Sequence, residues 1–504
     1  MEKWVTRILC ILTMAFFLLV FLQEKTHFVH IRQLGGVVEE VVYPKFTMQS
    51  YADRSYQNNL EAYSKQNFGF REWFLRCYNQ YLWDFYGMTS ALDVSVGRDG
   101  WLYESWFVED YYHSRMYKYT DNPEIFKNKL RTEAIRLYKV QEILKEFGVT
   151  LFVMLEPGKD RVFPEYLPES KWGDEPEGVR AADYYPYLFD SLGINYINFS
   201  KYFVEQKGKV DYLLFPQTGT HWSNIASLYA ADSLFKYMEQ IGNKNISNIE
   251  IGKPYYDTTR KPDDDLEQMM NLIREIPKAP NMYADVSVVE DTSAVKPKLI
   301  TIGDSFFWNI ANEIPLGSIF SEYQYWYYNS TVYFNPNYSS TSEIDLLAEL
   351  LSADYVMLSY CTAMIYDIGN GFNTNALVHL CYDDAQINAV LGGIMASMKN
   401  DENWMASLYE KADAKGVGIE DVMREDAEYL IFTDPENYFE ELCVSGIPTI
   451  RNKDMCIKRI KEQIYSYPVW LDEVKRKAEE WNVSLDSAVT RNAIWYYNQH
   501  KSEQ

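Results

Sequence analysis

The stretch Leu299-Ile300-Thr301-Ile302-Gly303-Asp304-Ser305-Phe306 decides the fold, because it joins a short apolar run to a glycine, an acid and a serine. Such a run, ended by glycine, is typical of a buried strand that terminates in a tight turn. A serine on this kind of turn, with a histidine elsewhere to take its proton, forms the nucleophile of acyl-transfer enzymes. The segment therefore predicts a strand that carries ester chemistry at its carboxyl end.

The histidine that fits this role is His221, in the segment Thr218-Gly219-Thr220-His221-Trp222. Taken singly, a Gly-Asp-Ser tripeptide often marks a structural turn, and a lone histidine beside tryptophan is more often a hydrogen-bonded structural residue. Because Ser305 and His221 both lie at predicted loop-to-helix boundaries, the pair favours a hydrolase-like site. N–H groups of Ser305 and of the helix that follows it would stabilise an oxyanion.

Segments on either side of the serine predict strands that alternate with helices. This alternation is typical of an α/β fold, a mainly parallel sheet covered by helices on both faces, with its ligand beyond the carboxyl ends of the strands. Lys159 and Arg161 follow one such end, where they either hold an anionic sugar or are solvated loop charges, and the charged segment 261–275 is interpreted as a surface loop. The predicted strands are Val149–Leu155, Ile194–Phe199, Leu299–Ile302, Thr331–Phe334 and Tyr355–Ser359.

The last 130 or so residues contain a tandem repeat with an offset of 66 positions. Trp404 corresponds to Trp470, and Ala427 corresponds to Ala493, with further matches between them in the same phase. Apolar residues recur at three and four positions within each copy, which indicates helices. We therefore expect an α-helical repeat module after the sheet domain.

The N-terminus predicts one membrane helix. Ile8 to Leu22 is apolar except for Thr13, and Lys3 and Arg7 precede it. The positive residues place the N-terminus in the cytoplasm and the rest of the chain outside. A cleaved signal peptide is the alternative, but no small-x-small cleavage site follows before residue 24.

Composition excludes several classes of function. A formal net charge of -24 over 504 residues argues against nucleic acid as a partner, since phosphate binding needs clustered Lys and Arg. With six histidines and no His/Asp/Glu cluster, neither a metal nor another cofactor is expected.

Several short motifs resemble, in the same order, the alginate O-acetyltransferase group (AlgJ/AlgX-like) of the SGNH hydrolase superfamily. The resemblance covers roughly residues 40 to 375 and depends on the order and number of the pieces. They are Asn67-Phe68-Gly69-Phe70-Arg71, Gly97-Arg98-Asp99-Gly100-Trp101-Leu102-Tyr103, Pro157-Gly158-Lys159, Phe163-Pro164-Glu165-Tyr166-Leu167-Pro168, Thr220-His221-Trp222, Gly303-Asp304-Ser305-Phe306 and Trp326-Tyr327-Tyr328-Asn329.

The resemblance implies an SGNH-like αβα sandwich that transfers acetyl groups to hydroxyls of a cell-surface or secreted polysaccharide. Ser305 would be the nucleophile and His221 its base, with Asn329, Tyr328, Trp222, Lys159 and Arg161 as oxyanion or substrate candidates. Many members carry an aspartate two residues before the histidine, but this chain has Gly219. The implied divisions are a cytoplasmic tip and anchor (1–25), a helical stem (26–90), the acyltransferase domain (91–375) and the repeat module (376–504).

Location constrains the acetyl donor. Acetyl-CoA is cytoplasmic, and a single helix does not carry an acetyl group outward, so a membrane-bound O-acyltransferase is the implied donor partner. Two alternatives to the transferase remain open: a polysaccharide acetylesterase with the same Ser–His pair, and a catalytically degenerate binding scaffold that stacks sugars on Trp222, Trp326, Tyr327 and Tyr328.

Overall fold

The structure, a computed structural model, describes residues 2–36, 41–169 and 177–500. Its centre is a six-stranded sheet in the order β11-β10-β9-β12-β3-β4, in which every neighbouring pair is parallel except β10 and β11. The fold is thus α/β with a mainly parallel sheet, as predicted. The sheet strands are β3 (Thr150–Glu156), β4 (Tyr196–Asn198), β9 (Lys298–Gly303), β10 (Glu322–Tyr327), β11 (Thr331–Tyr333) and β12 (Tyr355–Cys361).

Alternating side chains of each central strand fill two separate hydrophobic cores. On β9, Ile300 and Ile302 point into one core, whereas Leu299 points into the other. Burying such a side chain is worth about 1.5–3 kcal/mol, so the sheet is stable only when helices cover both faces. The first face is covered by α6 (Pro123–Glu146), α8 (Ala181–Leu192) and α15 (Phe372–Cys381), and the second by α9 (Phe199–Gln206), α10 (Asn224–Gly242) and α12 (Trp308–Glu313).

Short elements surround the carboxyl ends of the strands. A hairpin of β1 (Val94–Val96) and β2 (Leu102–Glu104) precedes the sheet. Side chains of the helix α11 (Asp265–Met270) pack in the hydrophobic core of this hairpin. The segment interpreted as a surface loop therefore includes a packed helix, because Leu266 and Met270 are buried against the hairpin. The other short elements of the sheet domain are α5 (Ser105–His113), α7 (Lys159–Val162), β5 (Ile249–Ile251), β6 (Tyr255–Asp257), α11 (Asp265–Met270), β7 (Asn281–Tyr283), β8 (Val286–Val288), α13 (Leu316–Ile319) and α14 (Leu346–Ser352).

The C-terminal region consists of two consecutive three-helix units. Their second helices begin at Glu402 and Pro468 and their third helices at Ile419 and Leu485, which are the positions related by the sequence repeat. The first unit shares the core of the sheet's first face, whereas the second has a core of its own. The units are α16 (Asp384–Lys399), α17 (Glu402–Lys415) and α18 (Ile419–Thr433), then α19 (Lys453–Ser466), α20 (Pro468–Glu480) and α21 (Leu485–His500).

The N-terminal region is helical. Residues Trp4–Thr26 of α1 (Glu2–Thr26) are long and apolar enough to cross a membrane, and an 18-residue window among them has a mean hydropathy of 2.5. Three further helices lead to the hairpin. They are α2 (Met48–Ala52), α3 (Ser55–Asn67) and α4 (Arg71–Tyr86).

Candidate active site

The serine turn is built at the carboxyl end of β9. Position 303 must be glycine, because a Cβ there would lie 2.3 Å from the backbone oxygen of Ser359 on the neighbouring strand. Asp304 then caps the turn, since its Oδ1 accepts a hydrogen bond of 3.1 Å from the Phe306 N–H. Ser305 starts a single helical turn that continues into α12, and the first N–H groups of such a turn have no acceptor within it. The Ser305 N–H is thus available for an oxyanion.

His221 reaches this serine from the loop before α10. Its Nε2 lies 2.9 Å from Ser305 Oγ, the distance at which the hydroxyl donates a hydrogen bond to the imidazole. Two further bonds hold the loops together: Trp222 Nε1 donates to the Phe306 carbonyl at 3.1 Å, and Asn309 Nδ2 donates to the Trp222 carbonyl at 3.0 Å. The sequence-predicted serine and histidine therefore meet at the carboxyl edge of the sheet.

Asp265, at the start of α11, orients the histidine. His221 Nδ1–H donates to Asp265 Oδ2 at 2.9 Å, which leaves the Nε2 lone pair directed at the serine. The other carboxylate oxygen, Oδ1, accepts from the N–H groups of Thr220 and Leu266, both at 2.8 Å. These three contacts fix both the carboxylate and the imidazole, so Ser305, His221 and Asp265 have the geometry of a Ser–His–Asp triad, with the acid 44 residues after the histidine.

Gly219 explains why the acid is not two residues before the histidine. A Cβ at this position would lie 2.6 Å from the Asp263 backbone oxygen and 2.8 Å from Cγ of Pro216. The segment that carries Asp265 therefore occupies the space that a side chain at position 219 would need. Asp265 was not predicted as a site residue, because segment 261–275 was interpreted as a surface loop. The sequence signal that pointed to an acid here was the run Asp263-Asp264-Asp265.

Carboxylates dominate the electrostatics around the imidazole. Burial lowers the pKa of His221, but the hydrogen bond and charge of Asp265, with contributions from Glu104 and Asp304, outweigh this effect and raise the pKa overall. Burial also disfavours the charged form of Glu104, which raises the pKa of this carboxyl group to about 7. The Thr220 hydroxyl donates to the Glu104 carboxylate at 3.4 Å. Glu104, at the end of β2, is a second acid near the histidine that the sequence did not indicate.

A buried pair of carboxyl groups, those of Glu156 and Asp304, supports the serine turn. Glu156 Oε1 accepts a bond of 2.6 Å from the Ser359 hydroxyl, and Asp304 Oδ2 accepts one of 2.8 Å from the Cys361 N–H. Burial and the nearby charge of Asp304 raise the pKa of Glu156 well above its usual value. We infer that Glu156 is the protonated member, with its proton shared with Asp304.

We expect Glu156→Gln to change how stability depends on pH. An unfolded glutamate loses its proton above pH ~4.3, whereas the folded protein retains it. Stability therefore falls as pH rises from that value towards the folded pKa, by up to about 1.4 kcal/mol per pH unit. Glutamine keeps an acceptor for Ser359 and an N–H for Asp304 but does not titrate. Melting temperatures measured between about pH 5 and 8 should decline less steeply in the variant, and equal slopes would contradict the assignment of the proton.

Lys159 faces the interior, not a ligand. Its ammonium, 2% exposed as a residue, donates to the carbonyls of Leu102, Gln217 and Gly219 at 2.7, 3.0 and 2.8 Å. Burial lowers its pKa well below the usual range. Its function is to hold the histidine loop against the hairpin. The expectation that Lys159 binds an anionic sugar, or is a solvated loop charge, is therefore wrong, because all three N–H groups already have acceptors.

Arg161 and Trp222 also differ from expectation. Arg161 NH1 donates to Asp183 at 2.8 Å and the side chain also pairs with the buried Asp160, so its charge is compensated within the protein. Trp222 is fully buried, and its ring packs on Phe306 and Phe199. No face of this indole is open to a sugar, so Trp222 acts by connecting the two loops.

The two remaining candidates lie in the turn after β10. Asn329 Nδ2 donates to the Asn370 carbonyl at 3.2 Å, so one of its two amide N–H groups already has an acceptor. Tyr328 is partly buried, its N–H donates to the Gly303 carbonyl at 2.8 Å, and burial together with Asp304 raises the pKa of its hydroxyl. Tyr328 is thus a neutral hydroxyl beside the strand that carries the nucleophile.

Among residues 2–36, 41–169 and 177–500, no group of three or more His, Cys, Asp or Glu side chains is arranged to hold a metal ion. The site consists instead of a hydroxyl, an imidazole and carboxylates. This set can take an acyl group on oxygen and pass it to another hydroxyl.

Part of the chain matches a known protein family. Residues 94–330 match the family described as SGNH hydrolase-like domain, acetyltransferase AlgX. No curated protein matches the sequence.

Three solved structures are similar to parts of the chain. The O-acetyltransferase domain of Pseudomonas putida AlgJ is 14% identical over 54% of this chain and 92% of its own, with a TM-score of 0.35. Pseudomonas aeruginosa AlgX is 15% identical over 53% and 54%, with a TM-score of 0.30. Bacillus cereus PatB1, solved with a sulfonyl adduct, is 10% identical over 54% and 95%, with a TM-score of 0.34.

The matched family segment begins at β1 and ends just after β10, so it contains His221, Asp265 and Ser305. It also contains most of the motifs on which the sequence resemblance depends. Residues 94–330 of this chain, just under half of its length, are therefore similar to the SGNH hydrolase-like domain of the AlgX acetyltransferase family.

Proposed function

We propose that the protein is a membrane-anchored, extracytoplasmic O-acetyltransferase that acetylates hydroxyls of a cell-surface or secreted polysaccharide through an acetyl-serine intermediate. The observation that carries this proposal is the pair of 2.9 Å contacts that His221 makes with Ser305 Oγ and Asp265 Oδ2. The match of residues 94–330 to the AlgX acetyltransferase family supports the class of reaction.

In the first half-reaction, Ser305 Oγ attacks the carbonyl carbon of an acetyl ester on the donor. His221 Nε2 takes the hydroxyl proton as the C–O bond forms, and Asp265 stabilises the resulting imidazolium. The Ser305 N–H donates to the oxyanion. When the tetrahedral intermediate collapses, the donor oxygen leaves with the proton from His221, and Ser305 carries the acetyl group.

In the second half-reaction, a sugar hydroxyl replaces the donor alcohol. His221 takes the proton of this sugar hydroxyl, and the sugar oxygen attacks the acetyl carbon on Ser305. Collapse of the second intermediate returns the proton to Ser305 Oγ and releases the acetylated sugar. If water enters in place of the sugar, the same steps release acetate, so exclusion of water decides between transfer and hydrolysis.

The N-terminal helix supports an anchored location. The 23-residue helical span Trp4–Thr26 contains an apolar stretch long enough for a bilayer, and Arg7 near its start favours a cytoplasmic N-terminus. The active site would then lie outside the cytoplasm and receive acetyl groups from a membrane-bound O-acyltransferase partner.

The full chain in lipid nanodiscs, given an acetylated donor and oligosaccharide acceptors, tests the proposal. We expect acetyl esters to appear on sugar hydroxyls faster than free acetate. Acetate release without sugar acetylation would make the protein an esterase, and no turnover of any ester would leave only the binding scaffold. Of the four side chains expected to stack sugars in that scaffold, Trp222 and Trp326 are buried and offer no stacking face.

A further inference from the structure

Four aromatic side chains form a partly exposed surface beside the serine turn. We call Trp308, Tyr327, Tyr333 and Phe334 the aromatic platform. Tyr333 and Phe334 are 38% and 42% exposed, and Trp308 and Tyr327 are half-buried. The Trp308 ring lies 4.8 Å from Tyr333, 5.7 Å from Phe334 and 6.2 Å from Tyr327, so the four rings are contiguous.

The aromatic platform continues directly from the nucleophile. Trp308 comes three residues after Ser305 on a continuous helical segment, and residues at this spacing share a helix face. Tyr327 is the register partner of Gly303, two residues before the serine. Beneath the platform, the buried Tyr325 packs its ring on Trp308 and donates its hydroxyl to the Asp304 carbonyl. A molecule lying on these rings would therefore extend from the catalytic hydroxyl.

Phe334 is held in an unusual conformation at the outer end of this surface. Its φ is +63°, in the left-handed region that costs a bulky side chain energy, yet its ring remains 42% exposed. Tyr323 supports it, with ring centroids 4.7 Å apart. A packing role alone would favour burial of this ring, whereas a ligand platform needs it presented to solvent.

Charge restricts what the platform accepts. The ionisable neighbours that raise the pKa of His221 are Asp265, Glu104 and Asp304, all acids. The two cations that the sequence offered to an anionic sugar, Lys159 and Arg161, are bound to carbonyls and to aspartates. Together with the net charge of -24, this arrangement repels a polyanion and leaves an uncharged chain unaffected.

We infer that the aromatic platform is the acceptor subsite and that it takes an uncharged sugar chain rather than a uronate polymer. The apolar C–H faces of neutral sugar rings stack on the four aromatic rings and place one hydroxyl at the acetyl group on Ser305. The inference rests on the proposed function for the identity of the reaction, but the binding itself is independent of acetyl transfer.

Binding to the full-length Ser305→Ala protein in nanodiscs tests the inference without any turnover. Isothermal titration calorimetry would compare cellohexaose, mannohexaose and chitohexaose with hexamannuronate. We expect at least one neutral hexasaccharide to bind more tightly than the uronate. Tyr333→Ala with Phe334→Ala, which removes the two most exposed rings, should weaken that binding about tenfold.

Tyr409→Ala with Tyr429→Ala is the matched control, since these two exposed tyrosines lie on α17 and α18. It should bind like the parent. Labelling of Ser305 by a small phosphonate, in the wild-type background, checks that the platform variant retains an intact site. The inference is overturned if no neutral hexasaccharide binds, if the uronate binds more tightly, or if the platform variant binds as well as the control. Failure of acetyl transfer with intact neutral-sugar binding would reject the proposed function alone.

Discussion

Replacing Ser305 by alanine is expected to reduce acetyl transfer about 10⁶-fold, the loss that follows removal of the nucleophile from a serine triad. The reason is geometric, because His221 Nε2 points at this hydroxyl and at 2.9 Å is placed to take its proton. Without this hydroxyl, no oxygen is available to carry the acetyl group between the donor and the acceptor. Single-turnover transfer from an acetylated donor to an oligosaccharide measures the effect.

Ser321→Ala is the matched control, because Ser321 is an exposed serine that ends the segment before β10. It should transfer at the wild-type rate. Loss of Ser305 should also leave the melting temperature nearly unchanged, since its hydroxyl is only partly buried. A rate of acetyl transfer by the Ser305→Ala protein within tenfold of the wild-type rate would show that Ser305 is not the nucleophile.

Asp265→Asn is expected to reduce transfer about 10⁴-fold while the fold is retained. Oδ1 of Asp265 accepts from the Thr220 and Leu266 N–H groups, so an asparagine keeps its oxygen on that side. Its NH2 group then faces His221 Nδ1, and the imidazole must carry its proton on Nε2. In that tautomer His221 is unable to accept the serine proton.

The same substitution makes a second, independent prediction about pH. Asp265 raises the pKa of His221, so its neutralisation lowers that pKa. Because the neutral imidazole is the active form, the acidic limb of the remaining activity should move to lower pH. Asp264→Asn, one residue away and bonded to the Gln268 side chain, should leave rate and profile unchanged. Equal rates for the two variants would show that Asp265 does not orient the histidine.

The sequence predicted the parts of the fold whose signals are local. The apolar run before Ser305 and the strand ending near Ser359 both lie in the sheet, since each alternates between two hydrophobic cores. Strand β10, Glu322–Tyr327, was not predicted: four of its six residues are aromatic, and its last two, Trp326 and Tyr327, were assigned to a family motif rather than to a strand. The tandem repeat was visible because its matches recur at a fixed offset.

The candidate site was predictable only in part, for physical reasons. Ser305 and His221 each belong to a short sequence motif, but Asp265 reaches the histidine because Gly219 lets segment 261–265 approach the loop. No spacing rule encodes such an approach. Lys159, which follows a strand end, and Trp222, which precedes a helix, illustrate a second limit, because only the packed structure decides that their side chains face inward.

The most direct test of the central claim is to trap the acyl group and locate it by peptide mass spectrometry. The full chain in nanodiscs would be incubated with an acetylated donor without acceptor, or with a phosphonate, then digested. We predict one adduct, on the peptide that contains Ser305, and none on that peptide in the Ser305→Ala protein. An adduct on another residue, or turnover of the donor with Ser305 never modified, would contradict the account.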